Sequence, residues 1–184
     1  MTPDITETLC TTCGLCCDGT LLADVELAGR REATGLEILG LEVEDADEGH
    51  RGLLLLPCRA LEGTRCSIYP HRPACCRTFE CRLLQEVRRG VVDLGRAREK
   101  VMDALGRIAH IKSLLVTLGH RDERLPLKER CAEALTLSEE DVPDPATRRR
   151  RDELESAMAS LESFILETFM SPERNAGAER AVGV

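Results

Sequence analysis

Aromatic residues are almost missing from this sequence: there is no tryptophan, and Tyr69, Phe79, Phe164 and Phe169 are the whole complement. That scarcity excludes the base-stacking platforms on which single-strand nucleic-acid binders rely, and it leaves Leu, Val, Ile and Ala to build the core. A basic surplus is also missing. With 33 acidic against 25 basic side chains the net charge is −8, which argues against a general attraction to nucleic acid or to an anionic membrane. No run approaches the roughly 18 consecutive apolar residues of a membrane span. The best is Leu53 to Leu56, stopped by Pro57. The opening MTPDITETL has neither a basic start nor an apolar stretch, so no secretory signal is expected there. The chain reads as soluble and cytoplasmic.

What is abundant is cysteine. At 184 residues the chain is long enough to bury a core without covalent staples, so ten cysteines call for a chemical reason rather than a structural one. Nine of them lie between Cys10 and Cys81, and the rest of the chain holds only Cys131. Charge shifts within the same half. Residues 1–57 carry twelve acidic and three basic side chains, whereas residues 58–89 carry seven arginines and three glutamates.

The expected fold is mainly α: cysteine-rich metal-binding loops with a short β-hairpin, packed on a small antiparallel helical bundle. Residues 1–90 form the cysteine-cluster region, 91–170 a helical region packed on it as one domain, and 171–184 a flexible tail without apolar periodicity. The hairpin is suggested by Leu36 to Val43 and Gly52 to Leu56, which flank the acidic, Gly-containing stretch Glu44 to Arg51. Leu94, Val101, Leu105, Ile108, Ile111, Leu115 and Leu118 recur at helical spacing, with Gly119 as the stop. A shorter helix is expected from Pro126 to about Leu135. Another long one is marked by Leu154, Met158, Leu161, Ile165 and Phe169 before Pro172.

The first cysteine cluster, CTTCGLCC, supplies Cys10, Cys13, Cys16 and Cys17. Cys10, Cys13 and Cys16 repeat the C-x-x-C-x-x-C spacing by which three thiolates of one short segment hold three corners of a cubane iron–sulfur cluster. Gly14 can take the positive φ that turns backbone amides toward sulfur. The fourth cysteine follows at once. Adjacent side chains tend to project in different directions, so Cys16 and Cys17 make poor co-ligands of one tetrahedral ion. Either a ligand comes from elsewhere or two metals are present. The second cluster offers Cys58, Cys66, Cys75, Cys76 and Cys81, interleaved with Arg59, Arg65, Arg72, Arg77 and Arg82, which could compensate thiolate charge and depress thiol pKa.

The two clusters together resemble the CxxCxxCC or YkgJ-type cysteine-cluster family of zinc- or iron-chelating domains. The resemblance covers residues 10–81 and extends through Cys58, Leu61, Cys66, Ile68, Tyr69, Arg72, Pro73, Cys76, Arg77, Phe79 and Cys81. It implies metal-ligand roles for Cys10, Cys13, Cys16, Cys17, Cys58, Cys66, Cys76 and Cys81, and leaves out Cys75 and Cys131. Some members, such as flagellin lysine N-methylases, look like iron–sulfur proteins that modify other proteins. No methyltransferase motif is visible here.

Plainer readings accompany these. Cys131 on a helix reads as a core residue, Cys75 as a packed extra thiol, and His50 and His71 as surface histidines although either could replace a sulfur. Tyr69, Arg72, Pro73 and Phe79 read as a plug and clamp over the metal. Arg148 to Arg151, followed by Asp152, Glu153 and Glu155, read as a solvated helix face. No nucleophile–base pair, phosphate loop or nucleotide fingerprint is present, so an iron–sulfur oxidoreductase or accessory role rests on no catalytic motif. The expectation is an iron–sulfur protein, a 4Fe–4S cluster being one form, working with a protein partner and with neither nucleic acid nor membrane. Its rivals are a structural zinc module, since zinc accepts the same sulfur sites, and a metal-free thiol switch.

Overall fold

The structure is a computed structural model, and it describes residues 5–46, 51–136 and 144–170. Its elements run α1 (Ile5–Cys13), β1 (Asp24–Glu26), α2 (Arg30–Ile38), β2 (Val43–Ala46), β3 (Arg51–Leu55), β4 (Leu61–Glu62) and β5 (Arg65–Cys66). A 3₁₀ turn (Tyr69–His71) leads into α3 (Ala74–Thr78) and α4 (Arg82–Arg88), followed by α5 (Leu94–Thr117), α6 (Leu127–Leu135) and α7 (Pro145–Thr168). The molecule is mainly α with small antiparallel sheets, as the apolar spacing predicts.

The long helices start and stop where local chemistry requires. The Asp93 carboxylate accepts from the Arg96 amide at 3.0 Å to open α5, and Asp144 accepts from the Ala146 and Thr147 amides at 2.8 and 2.9 Å to open α7. Along α5 the residues Ala97, Val101, Ala104, Ile108, Ile111 and Leu115 are all buried, a spacing of three and four that makes one continuous apolar stripe. Gly119 ends it with φ of 92°. Arg107 of α5 reaches Ser160 and lies over Phe164, while His110, one turn further on, meets Glu153. Partners fall in number as α5 advances, so α5 and α7 run antiparallel. Lys128 facing Glu162 and Arg151 donating to the Leu135 carbonyl set α6 antiparallel to α7 in the same way. Arg151 therefore serves the end of α6 instead of standing wholly in solvent.

The hairpin is present but placed differently from its expectation. β2 and β3 pair antiparallel, Val43 opposite Leu54, yet Leu36 to Ile38 close helix α2 rather than extending the first arm. Leu36 is buried at helical spacing from Ala33. A third strand, β1, pairs with β3 on its other edge. Residues 47–50, including His50, and the 171–184 tail lie outside the described residues.

Two apolar cores result. One gathers Leu9, Leu15, Leu83, Leu84, Ile111, Leu115, Leu154 and Phe169 from the helices and the turn after α1. The other gathers Val25, Leu27, Leu36, Leu54, Leu56 and Cys58 around the three-stranded sheet. The cysteine segments lie where these cores meet.

Candidate metal centre

The N-terminal cysteines are not all on loops, because α1 itself carries Cys10 and Cys13, three residues apart on a helix anchored by the buried Leu9. Gly14, at φ 72°, ends the helix. A Cβ at that position would stand 3.2 Å from the Thr64 Cα, so the close approach of the β4–β5 hairpin needs glycine as much as the dihedral does. The Cys17 and Asp18 amides then close a turn on the Gly14 carbonyl at 2.9 and 3.0 Å. The Leu15 amide hydrogen bonds back to the Cys13 sulfur, and the fully buried Leu15 side chain pins the turn into the helical core.

This turn sends the adjacent sulfurs of Cys16 and Cys17 to different neighbours. Cys16 interacts electrostatically most with Cys13 and Cys81, then with its chain neighbour Cys17 and with Cys10. Cys17 interacts with Cys58 and Cys66. Cys81 joins the first set from the N-terminus of α4, where its sulfur accepts from the Leu84 amide at 3.5 Å. Cys76 joins the second from α3, hydrogen bonded to Cys75 and in electrostatic contact with Cys17 and Cys58. A backbone bond of 2.7 Å from the Cys58 amide to the Cys17 carbonyl holds the two halves of that second set together.

Cys10, Cys13, Cys16 and Cys81 thus pack against the helical core. Cys17, Cys66, Cys75 and Cys76 pack against the sheet core, of which Cys58 is a part. All nine line one cavity of about 210 Å³, whose remaining wall is largely leucine, with Tyr69, Arg72 and Phe79. None of the ten cysteines is in a disulfide.

The arginines behave differently from their expectation. Arg59 pairs with Glu42 and Arg82 with Glu86, so neither compensates sulfur charge, and Arg65 does not reach the cavity. Arg72 and Arg77 do, and Arg72, stacked over the Tyr69 ring at 3.5 Å, is the cation that favours ionisation of Cys17. Its pull is outweighed. Burial raises the Cys13 and Cys17 thiols from 9.0 to about 12, with the neighbouring sulfurs adding to the effect. Cys16, Cys58 and Cys81 are raised mainly by burial as well, and Cys76 chiefly by its hydrogen bond with Cys75. These six raised thiols are therefore protonated near neutral pH until a cation displaces the protons.

One cavity sulfur lies outside the expected ligand set, and one supporting residue escaped sequence reasoning. Cys75 stands on the cavity wall beside Cys76 and its thiol is lowered by that hydrogen bond; only the adjacency of the pair hinted at it. Glu32 of α2 accepts from the Ala74 amide at 2.7 Å and the Ala28 amide at 2.8 Å, tying the start of α3, and with it Cys75 and Cys76, to the sheet half. No spacing rule marks such a glutamate. Cys131 is buried in α6 as a core residue, and His71 is exposed and away from the cavity.

Four soft sulfur donors on the helical side and five on the sheet side of a largely apolar cavity fit zinc or iron–sulfur in chemistry. Among the described residues no three Cys, His, Asp or Glu side chains yet converge on one point as around a bound ion. The fit is therefore one of donor type, number and neighbourhood. No helix among the described residues is long and apolar enough to cross a membrane. No curated protein and no solved structure matches the chain. A family model does match residues 9–100, half of the chain, spanning both sulfur groups and stopping short of Cys131. On that match the chain belongs to the CxxCxxCC family, described as a putative zinc- or iron-chelating domain.

Proposed function

We propose that this protein holds iron–sulfur in two four-thiol sites, Cys10, Cys13, Cys16 and Cys81 in one and Cys17, Cys58, Cys66 and Cys76 in the other, and serves as a redox or accessory component to a protein partner. One observation carries the reading: nine sulfurs surround a single cavity of about 210 Å³, enough donors for two four-thiol sites, and three of them repeat the C-x-x-C-x-x-C spacing of a cubane ligand loop.

When bound, such a cluster supplies one-electron transfer. The residues of the chain set the conditions for it. Leucines on the wall exclude water, the Leu15 and Leu84 amides point at sulfur and stabilise its charge, and Arg72 offsets negative charge on the Cys17 side. Free thiols at every position suit a reducing compartment such as the cytoplasm.

Iron and acid-labile sulfide measured on anaerobically purified protein test this. The expected result is brown protein absorbing broadly near about 400 nm, with about four irons and four sulfides per site if both are cubanes. Colourless protein with stoichiometric zinc and no iron would replace it with the structural zinc reading, in which the sites only fasten the two cores together.

A further inference from the structure

Cys58 also forms part of the wall of a second cavity, of about 670 Å³, that the thiol chemistry does not use. Its charges sort into satisfied and unsatisfied ones. Arg59 is paired with Glu42, and Arg124 with Asp122 at 2.7 Å. Arg130 is not. It is only 3 % exposed, its one hydrogen bond goes from Nη2 to the neutral His120 carbonyl at 3.1 Å, and its Nε has no partner. Among the described residues no carboxylate stands within ion-pair distance of it; the nearby Asp122 is already held by Arg124.

Lys112, half-buried on α5, likewise forms no ion pair among the described residues. Asp18 attracts it electrostatically, but the Asp18 carboxylate accepts from the Thr20 amide at 2.9 Å. The buried Thr20 hydroxyl stands beside that carboxylate on the same wall. Glu123, the remaining carboxylate of the wall, is exposed to solvent. A guanidinium withdrawn from water with no carboxylate in ion-pair contact is costly to a fold, and Lys112 adds a second positive charge on the same cavity wall.

We propose that this cavity binds a small ligand bearing an oxyanion, carboxylate or phosphate, between Arg130 and Lys112, with Thr20 and Asp18 beside it. Charge-assisted bonds to two cations would fix the anionic end, and the cavity has room for an organic body. The site does not depend on which metal the cysteines hold. Because Cys58 belongs to both cavities, a ligand here would lie next to the second thiol group.

Calorimetric titration of the full-length, metal-loaded protein with inorganic phosphate, and separately with succinate, tests the proposal, with sodium chloride at matched ionic strength as the control. Saturable binding of at least one anion at one site per chain is expected. Lys112→Met should weaken it about tenfold, the scale of one lost charge-assisted contact, and Lys112→Arg should restore most of it. Binding of phosphate alone would mark a phosphate-bearing ligand, and of succinate alone a carboxylic acid. The proposal is overturned if neither anion binds beyond chloride, or if Lys112→Met binds as tightly as the natural sequence.

Discussion

The two sulfur groups share a cavity but stand on different foundations. The first takes Cys10 and Cys13 from a helix, Cys16 from the turn that follows, and Cys81 from the cap of another helix, and it leans on a core of packed leucines. The second takes Cys17 from a turn, Cys58 from a loop, Cys66 from the end of a two-residue strand and Cys76 from a five-residue helix. Short elements of that kind contribute little stability of their own. The difference teaches that the first group is positioned by apolar packing, whereas the second depends more on whatever its sulfurs hold.

The largest effect that separates the two comes from the helical core. Leu115 is fully buried in α5, and Leu115→Ala should cost about 2–5 kcal/mol. Urea titration of the loaded protein, following metal release, should then show the first group losing its metal at lower denaturant than the second. Release of all metal at one unchanged midpoint would break the comparison.

Gly14 stands between the groups, and Gly14→Ala sharpens the contrast from the opposite direction. A side chain there must hold a left-handed φ and press on the Thr64 backbone, at a cost of about 1–3 kcal/mol. Because the same turn orients Cys13, Cys16 and Cys17, metal content should fall at both sites together, as read by metal analysis of the purified variant.

The smallest effect near neutral pH is titration of the thiols themselves. Burial holds Cys13 and Cys17 at about 12 against 9.0 when unburied, so the fold favours the neutral thiol. The stability this gives is complete below about pH 9 and is lost as pH climbs toward about 12, where the unfolded chain has already released its protons. Urea midpoints of metal-free protein should therefore drop between about pH 8 and pH 10.5, while those of loaded protein, whose ligand thiols have no proton left to lose, should stay nearly level.

Much of this arrangement is legible in the amino-acid order. The apolar stripe of α5 and its Gly119 stop are local signals, and local signals are what helix periodicity reports. The adjacency of Cys16 and Cys17 already makes them poor co-ligands of one tetrahedral ion, since neighbouring side chains tend to diverge. Which distant cysteine joins which set was not legible. That Cys81 goes to the helical side and Cys58, Cys66 and Cys76 to the sheet side follows from how α4 docks on α5 and from the pairing of strands distant in sequence, and no spacing encodes it. Helix α2 was hidden because Leu36 to Ile38 also suits a strand. The arginines misled for a physical reason: alternation in sequence places charges near sulfur along the chain, but Arg59 and Arg82 find carboxylates first.

The division of the eight sulfurs into two sets is tested most directly by comparing Cys81→Ser with Cys58→Ser, each purified without oxygen and analysed for metal per chain. Each variant should keep roughly half of the metal of the natural protein, and the two should differ in which half survives, seen as distinct residual spectra. Complete loss of metal in either variant, or full retention in both, would contradict two separate four-thiol sites.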